Sequence, residues 1–479
     1  MRFRASQAAV AVRGDLVGED VLLDGATQDS RATTPGCLFV PLVAERDGHD
    51  FIGAAMEAGA GAHLTSGPAG PGTAIRVPDT AMALRTLGAT ARDSTEAQVV
   101  GITGSVGKTS TKDLTAAVLA RIGGTHAGVR SFNNEIGVPL TLLGAADDAR
   151  FLVVEMGART EGDIADLCAV ARPDVGVVTT VAAAHTGVFG SLESVARTKG
   201  EILDSLPSYG CAVLNADAPD VMGQASRARC PVLTFGDQGE VRAQKVVVDD
   251  SARPSFRLES PWGRIDVRLA VHGAHMVANA VAAAATGLFL DVPLADVAAG
   301  LAEARLSPWR MDVQRAPDGL TVINDAYNAN PTSMLASLDA LVAVAVTGRR
   351  IAVVGLMAEL GDEEAPAHAA VAEQAAERGI TLVAVGTDLY GLEPLEAEAV
   401  ADHLDRVGPG FRRRRANQGQ PGGRVGSSGR TPTGGLTGPT SVAVVREFVR
   451  SQRSVGAVPD RQAFPIAVRT EVNDAHGLD

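Results

Sequence analysis

Lysine is nearly missing from this sequence: of 43 basic residues in 479, four are Lys (Lys108, Lys112, Lys199 and Lys245) and the rest are Arg. Where a solvated cation suffices, this chain uses guanidinium, so each lysine invites the question of what only an ammonium can do. Cysteine is scarce as well. Cys37, Cys168, Cys211 and Cys230 lie 131, 43 and 19 residues apart without a CxxC pair. That spacing argues against a structural zinc site and a disulfide framework and fits a reducing compartment. No apolar run approaches the roughly 18 residues of a membrane span, and MRFRASQAAVAVRGD has too short an apolar stretch for a secretion signal. A cytoplasmic chain without a membrane span is expected. Positive charge is also in deficit, and a formal charge of −13 disfavours nucleic-acid backbone or anionic membrane as partners.

Apolar residues, in contrast, make up 46% of the chain, enough for ordinary globular cores, and at roughly 150 residues per domain the length fits three of them. Residues 1–95 mix short apolar runs with turn signals and read as a small α/β domain. From about 96 to 307, apolar strands (QVVGITG, FLVVEMG, DVGVVTTV, CAVLNAD, PVLTFG) alternate with Ala-rich helical stretches, the pattern of a mainly parallel sheet covered by helices. Residues 308–405 repeat that pattern with TVINDAY, RRIAVVGLM and TLVAVG and read as another open α/β sheet. The last segment, 406–479, differs. It carries 12 Arg, no Lys and 5 acids, whereas the rest has 31 basic and 51 acidic residues. With its Gly, Ser and Pro it reads as flexible chain, apart from a helical SVAVVREFVRSQ.

The strongest local signal is GITGSVGKTSTKDL at 101–114, a strand running through a Gly-rich loop into a helix. Gly104, Ser105, Val106, Gly107, Lys108, Thr109 and Ser110 supply what a phosphate needs. Backbone N–H groups can approach its oxygens, a helix N-terminus faces it, Lys108 neutralises its charge, and the Thr109 hydroxyl can ligate Mg²⁺. ATP with Mg²⁺ is the expected ligand. The spacing is not the strict GxxxxGK[ST], since the residue five before Gly107 is Ile102.

With SFNNEIGVPLTLL (131–143), VVEMGA (153–158), AHTGVFGSLESVARTKGEI (184–202), GAHMVANA (273–280) and NDAYNANPTSM (324–334) following in order, the chain resembles the Mur ligase family from about 29 to 405. The resemblance implies three domains: a small α/β domain for a UDP-muramoyl substrate, a central P-loop ATPase-like parallel sheet, and a Rossmann-like domain for the amino substrate. It further implies ATP-dependent amide formation, joining D-alanyl-D-alanine to UDP-N-acetylmuramoyl tripeptide through an acyl phosphate in a monomeric enzyme. A sister ligase adding a single amino acid, a folylpolyglutamate synthase-like ligase, and a nucleotide-binding relative without ligase activity remain the alternatives.

Site residues follow from the same resemblance. Glu155 alone reads either as a solvated strand-end carboxylate or as a metal ligand; similar ligases place a Mg²⁺ ligand here. His185 would stand beside a second magnesium. Lys199 matches a lysine that captures CO₂ as a carbamate and so becomes an anionic metal ligand, chemistry that Arg cannot replace. An unperturbed lysine is neutral only about once in 2,500 molecules at pH 7, so a lowered pKa or metal capture is required. Arg310 would reach a phosphate, Asp325 and Asn328 the ribose or adenine, and Asn279, paired with His275 on one helix face, the nucleotide. Ser30 and Arg31, together with DGHDF at 47–51, resemble uridine-nucleotide segments. The family's terminal Lys-Gly-Ser-type loop has no counterpart here, and the change of composition from about Gly410 is what a shifted reading frame would produce.

Overall fold

The computed structural model describes residues 1–129, 131–182, 191–315, 321–345 and 348–407. His185 and the 408–479 part of the tail, including its expected helix, lie outside the described residues. The chain divides into two compact units: residues 1–308 with Glu359–Gly361, and the remainder from Trp309.

At the centre of the first unit is a six-stranded, wholly parallel sheet in the order Val232–Phe235, Cys211–Asn215, Val175–Val178, Gln98–Thr103, Phe151–Glu155, Thr125–Ala127. Its strands are apolar on both faces because helices cover both, as near-continuous Val and Leu runs require. The first strand in sequence, Gln98–Thr103, lies in the middle, between Phe151–Glu155 and Val175–Val178. Strand order reverses there, and the carboxyl ends of these three strands open the crevice where such sheets bind ligands.

Nearer the N-terminus, Asp15–Val17, Thr73–Arg76, Ala62–Thr65, Leu38–Phe39 and Ala26–Thr27 form a five-stranded sheet, parallel except for its first pair. One continuous apolar core runs from Ala5, Leu38 and Leu64 through Leu84 and Leu87 of the helix Thr80–Asp93 to Val138, Leu142, Val154 and Leu214. The two sheets therefore share an interior. Arg85 reinforces it by pairing with Asp166 at 2.9 Å, and Arg92 by pairing with the buried Asp174 at 3.3 Å. Residues 242–268 form a further antiparallel sheet of three strands, Arg242–Val248, Pro254–Ser260 and Gly263–Arg268, with Lys245 (φ +55°) in a bulge.

In the second unit the expected strands are present, at Thr321–Asn324, Ile351–Val354 and Thr381–Ala384, with helices Pro331–Ala343 and Glu364–Glu377 between them. They do not join into one sheet among the described residues. Thr321–Asn324 pairs antiparallel with Asp312–Arg315, and Ile351–Val354 pairs parallel with Thr381–Ala384. A partner six residues away closes at less entropic cost than a crossover. No helix among the described residues is long and apolar enough to cross a membrane.

Candidate active site

Three carboxyl-edge segments converge. After Gln98–Thr103 the chain turns at Gly104 (φ +140°) and Gly107 (φ +85°), and the helix Lys108–Leu119 begins. Both angles belong to the left-handed region that side chains avoid. A Cβ at Gly104 would also collide with Thr179 Oγ1, and one at Gly107 with Asn279 Oδ1. Gly104→Ala is expected to cost about 1–3 kcal/mol of stability, read by chemical denaturation, because strain and collision act at the same residue.

The loop is held from the strand beside it. Ser105 N–H donates to Thr180 O at 2.8 Å, Thr179 Oγ1 donates to Val106 O at 2.6 Å, and Ala182 N–H donates to Ser105 Oγ at 3.0 Å. Lys108 Nζ donates to the Gly104 and Ser105 carbonyls at 2.7 and 3.2 Å, so the ammonium lies inside the curve of the loop. Thr109 Oγ1 is 3.1 Å from Ser131 Oγ, and Ser110 is buried against the sheet. Asn279 accepts from Thr111 Oγ1 at 3.3 Å, which places this residue beside the first turn of the helix that follows the loop. His275 is the N-cap of the helix Met276–Phe289, with helical backbone angles (φ −61°, ψ −18°), four positions before Asn279.

Glu155, the last residue of Phe151–Glu155, is 1% exposed. Its Oε1 accepts from Asn133 Nδ2 at 2.8 Å, while Oε2 is buried with no hydrogen-bond partner among the described residues. A buried carboxylate oxygen left without a donor calls for a cation. No group of three or more His, Cys, Asp and Glu side chains forms a metal cage among the described residues. A single carboxylate beside hydroxyls suits Mg²⁺, which keeps waters and takes its other oxygens from substrate phosphates. These residues fit that ion.

Lys199, on the helix Leu192–Asp204, is 3% exposed and donates to Ala158 O at 3.5 Å, in the loop that follows Glu155. Burial lowers its pKa to about 7; the nearby Lys108 ammonium pushes the same way, and Asp163 and Glu201 oppose it. Glu201, on the same helix, accepts from Gly162 N–H at 2.7 Å and Ala165 N–H at 3.0 Å, fastening this helix to the start of Asp163–Ala171.

Ser131 and Asn133 escaped the sequence reading as site residues. Their signal was a polar SFNN immediately before a buried helix, Gly137–Leu143, whose first turn Asn134 caps through Gly137 N–H at 2.9 Å.

Within the second unit, the Arg310 guanidinium lies 4.2 Å from the Tyr327 ring centroid. Asp325 accepts from Met311 N–H at 3.2 Å and from Ser337 Oγ at 2.6 Å, so its carboxylate orders the loop that carries Arg310. Asn328 Oδ1 accepts from Ala329 N–H at 3.0 Å. Arg310, Asp325 and Asn328 thus occupy one loop cluster. Ser30 and Arg31 form a short turn, Ser30–Ala32, and Arg31 pairs with Asp29 through Nε and Nη2 at 2.9 and 2.8 Å. In the DGHDF segment His49 bridges Asp47 at 2.6 Å and Ser66 Oγ at 3.1 Å.

Comparison with known proteins agrees with this arrangement. Residues 102–287 match the Mur ligase middle domain, and 309–418 match the domain described as Mur ligase, glutamate ligase domain. The UDP-N-acetylmuramoyl-tripeptide–D-alanyl-D-alanine ligase of Escherichia coli (strain K12) is 39% identical over 406 residues, 83% of this chain and 89% of that one. The crystal structure of MurF from Acinetobacter baumannii superposes with a TM-score of 0.75 at 29% identity, covering 85% of this chain and 92% of that one. MurF ligase from Thermotoga maritima in complex with ADP gives 0.65 at 27% identity, covering 80% and 91%. The chain therefore belongs to the Mur ligase family, ATP-dependent ligases that form C–N bonds.

Proposed function

We propose that this chain joins D-alanyl-D-alanine to UDP-N-acetylmuramoyl tripeptide at the expense of ATP, as a monomer in the cytoplasm, in the synthesis of peptidoglycan precursor. The observation that carries the reading is the carboxyl edge of the central sheet. There a phosphate loop and an unsatisfied buried carboxylate at Glu155 occupy neighbouring strand ends, and Lys199, a lysine of lowered pKa on the helix Leu192–Asp204, reaches the loop after Glu155. The similar E. coli ligase supplies the substrates. We assign 1–95 to the uridine nucleotide, with Ser30 and Arg31 at its phosphate and sugar, 96–307 to ATP, and 308–405 to the amino substrate.

A carboxylate resists attack by an amine because oxide is a poor leaving group. Transfer of the γ-phosphoryl of ATP to the tripeptide's terminal carboxylate oxygen gives ADP and an acyl phosphate. The D-alanyl amine then attacks the carbonyl carbon, loses a proton, and inorganic phosphate departs as the amide forms. The backbone N–H groups of 105–110 orient the triphosphate, and Lys108 faces the charge that develops on the transferring phosphoryl. Arg310 holds a phosphate from the second unit, Asn328 contacts the nucleoside, and Asn279 supports the loop through Thr111. Thr109, Glu155, His185 and carbamylated Lys199 would hold Mg²⁺, which supplies charge neutralisation at the phosphate oxygens. The carbamate forms when neutral Lys199 Nζ adds to CO₂ with loss of a proton.

Incubation with ATP, Mg²⁺, UDP-N-acetylmuramoyl tripeptide and D-alanyl-D-alanine is expected to yield the UDP-muramoyl pentapeptide by mass, with one phosphate released per product. Amide formed only with a single amino acid would assign a sister activity. ATP bound without any amide would leave a nucleotide-binding protein. Glu155→Gln, which removes the charge but keeps the shape, is expected to raise the Mg²⁺ concentration needed for half-maximal turnover about 10–100-fold, measured by magnesium titration.

A further inference from the structure

Lys112 and Asp113 lie one turn beyond the phosphate loop, on the helix Lys108–Leu119, and nothing in the reaction described above uses them. Lys112 is 1% exposed, donates to Gly128 O at 2.6 Å and pairs with Asp113 Oδ1 at 3.1 Å. Asp113 is turned toward a residue 194 positions away. It accepts from Ser307 N–H at 2.6 Å and from Ser307 Oγ at 3.1 Å.

Ser307 is the last residue but one of the first unit's main stretch, which ends at Pro308. On the far side, Trp309 O accepts from Tyr327 N–H at 3.3 Å, Arg310 stacks on the Tyr327 ring and Met311 N–H is taken by Asp325. Trp309 (φ +65°) and Met311 (φ +49°) both adopt left-handed backbone, which for a bulky residue persists only when its surroundings impose it. The ring of Pro308 fixes one further torsion and restricts Ser307 before it. The passage between the units is thus pinned at Ser307 and again at Trp309, with one residue between the pins.

We propose that Asp113 is a positioning residue: by clamping Ser307 to the phosphate-loop helix, it fixes the point at which the chain leaves the first unit. Its effect on turnover rests on the function proposed above. The clamp itself does not, and the two can be tested apart.

In the full-length protein without ligands, Asp113→Ala, which removes both contacts to Ser307, is expected to expose the joint. Exchange of the Ser307 amide and tryptic cleavage after Arg310 should each accelerate about tenfold or more. Affinity for a nonhydrolysable ATP analogue should stay within twofold of the wild type, KM for ATP should be unchanged, and kcat should fall about tenfold. Ser307→Ala, which keeps the N–H and loses one bond, should give a smaller effect in the same direction, and it serves should Asp113→Ala fail to fold. Because Asp113 acts through Ser307, the double variant should be no worse than Asp113→Ala. Unchanged exchange and cleavage would overturn the clamp, as would additive effects in the double variant or a loss of analogue affinity parallel to the loss of kcat. A wild-type protein that makes no amide would instead sink the function reading while exchange and cleavage still judge the clamp.

Discussion

Replacing Lys199 with Met is expected to give a protein that melts higher than the wild type and forms no product. The ammonium is buried at 3% exposure, and its pKa is lowered to about 7 chiefly by that burial. In the unfolded chain a lysine titrates near 10.4, so between about pH 7 and 10.4 the unfolded state holds a proton that the folded state lacks. Stability contributed at this residue therefore rises with pH across that window, and below pH 7 the burial cost of the charge is present in full. Methionine has similar length and no charge. Its thermal advantage over the wild type should be largest below pH 7 and vanish above about pH 10.5, as scanning calorimetry across pH would show. Lys199→Arg keeps a charge that cannot be shed, and should be both inactive and less stable. Capture of CO₂ needs the neutral amine, whose fraction falls from about nine-tenths at pH 8 to about one-tenth at pH 6. Labelled CO₂ at Lys199 should follow that tenfold decline. An active Lys199→Met variant would remove the residue from the reaction.

Lys108→Ala is expected to lower kcat by about 10²–10³ while leaving the fold intact. The ammonium is anchored on the Gly104 and Ser105 carbonyls at 2.7 and 3.2 Å, so its position is set before any nucleotide arrives. That preorganisation is what makes a charge effective against a transferring phosphoryl. Analogue binding should weaken less than turnover, since the backbone N–H groups and the helix N-terminus remain. Arginine should not rescue, because a planar guanidinium cannot occupy the curve that an ammonium fills. Phosphate release measured under saturating ATP separates the two effects, and turnover within threefold of the wild type would contradict the role given to Lys108.

What could be read from the sequence was what a short stretch encodes. The strand Gln98–Thr103, its glycine turn and the helix at Lys108 are contiguous, and the scarcity of lysine drew attention to four positions, of which the family resemblance picked out Lys199. The partnerships that define the site are not contiguous. Asn133 meets Glu155, Ser131 meets Thr109 and Asp113 meets Ser307 only after the sheet has formed, and none of these pairs leaves a periodic trace. Of the antiparallel strands at 242–268, Pro254–Ser260 alternates clearly, whereas Arg242–Val248 is exposed over Gln244–Val247 and gives no period-two signal. In the second unit each strand was recognised, but which strand pairs with which depends on chain closure, and among the described residues the strands stand in two pairs.

The interior common to the two sheets of the first unit has an evolutionary corollary. A recognition module joined to an engine by a linker can be exchanged between proteins like a tool head. Here the side chains behind residues 1–95 interlock with those behind the nucleotide loop, from Leu64 and Leu87 to Val138 and Leu142. Grafting a foreign front end would open voids at that seam, so residues 1–95 are expected to change by point substitution at the surface more readily than by recombination.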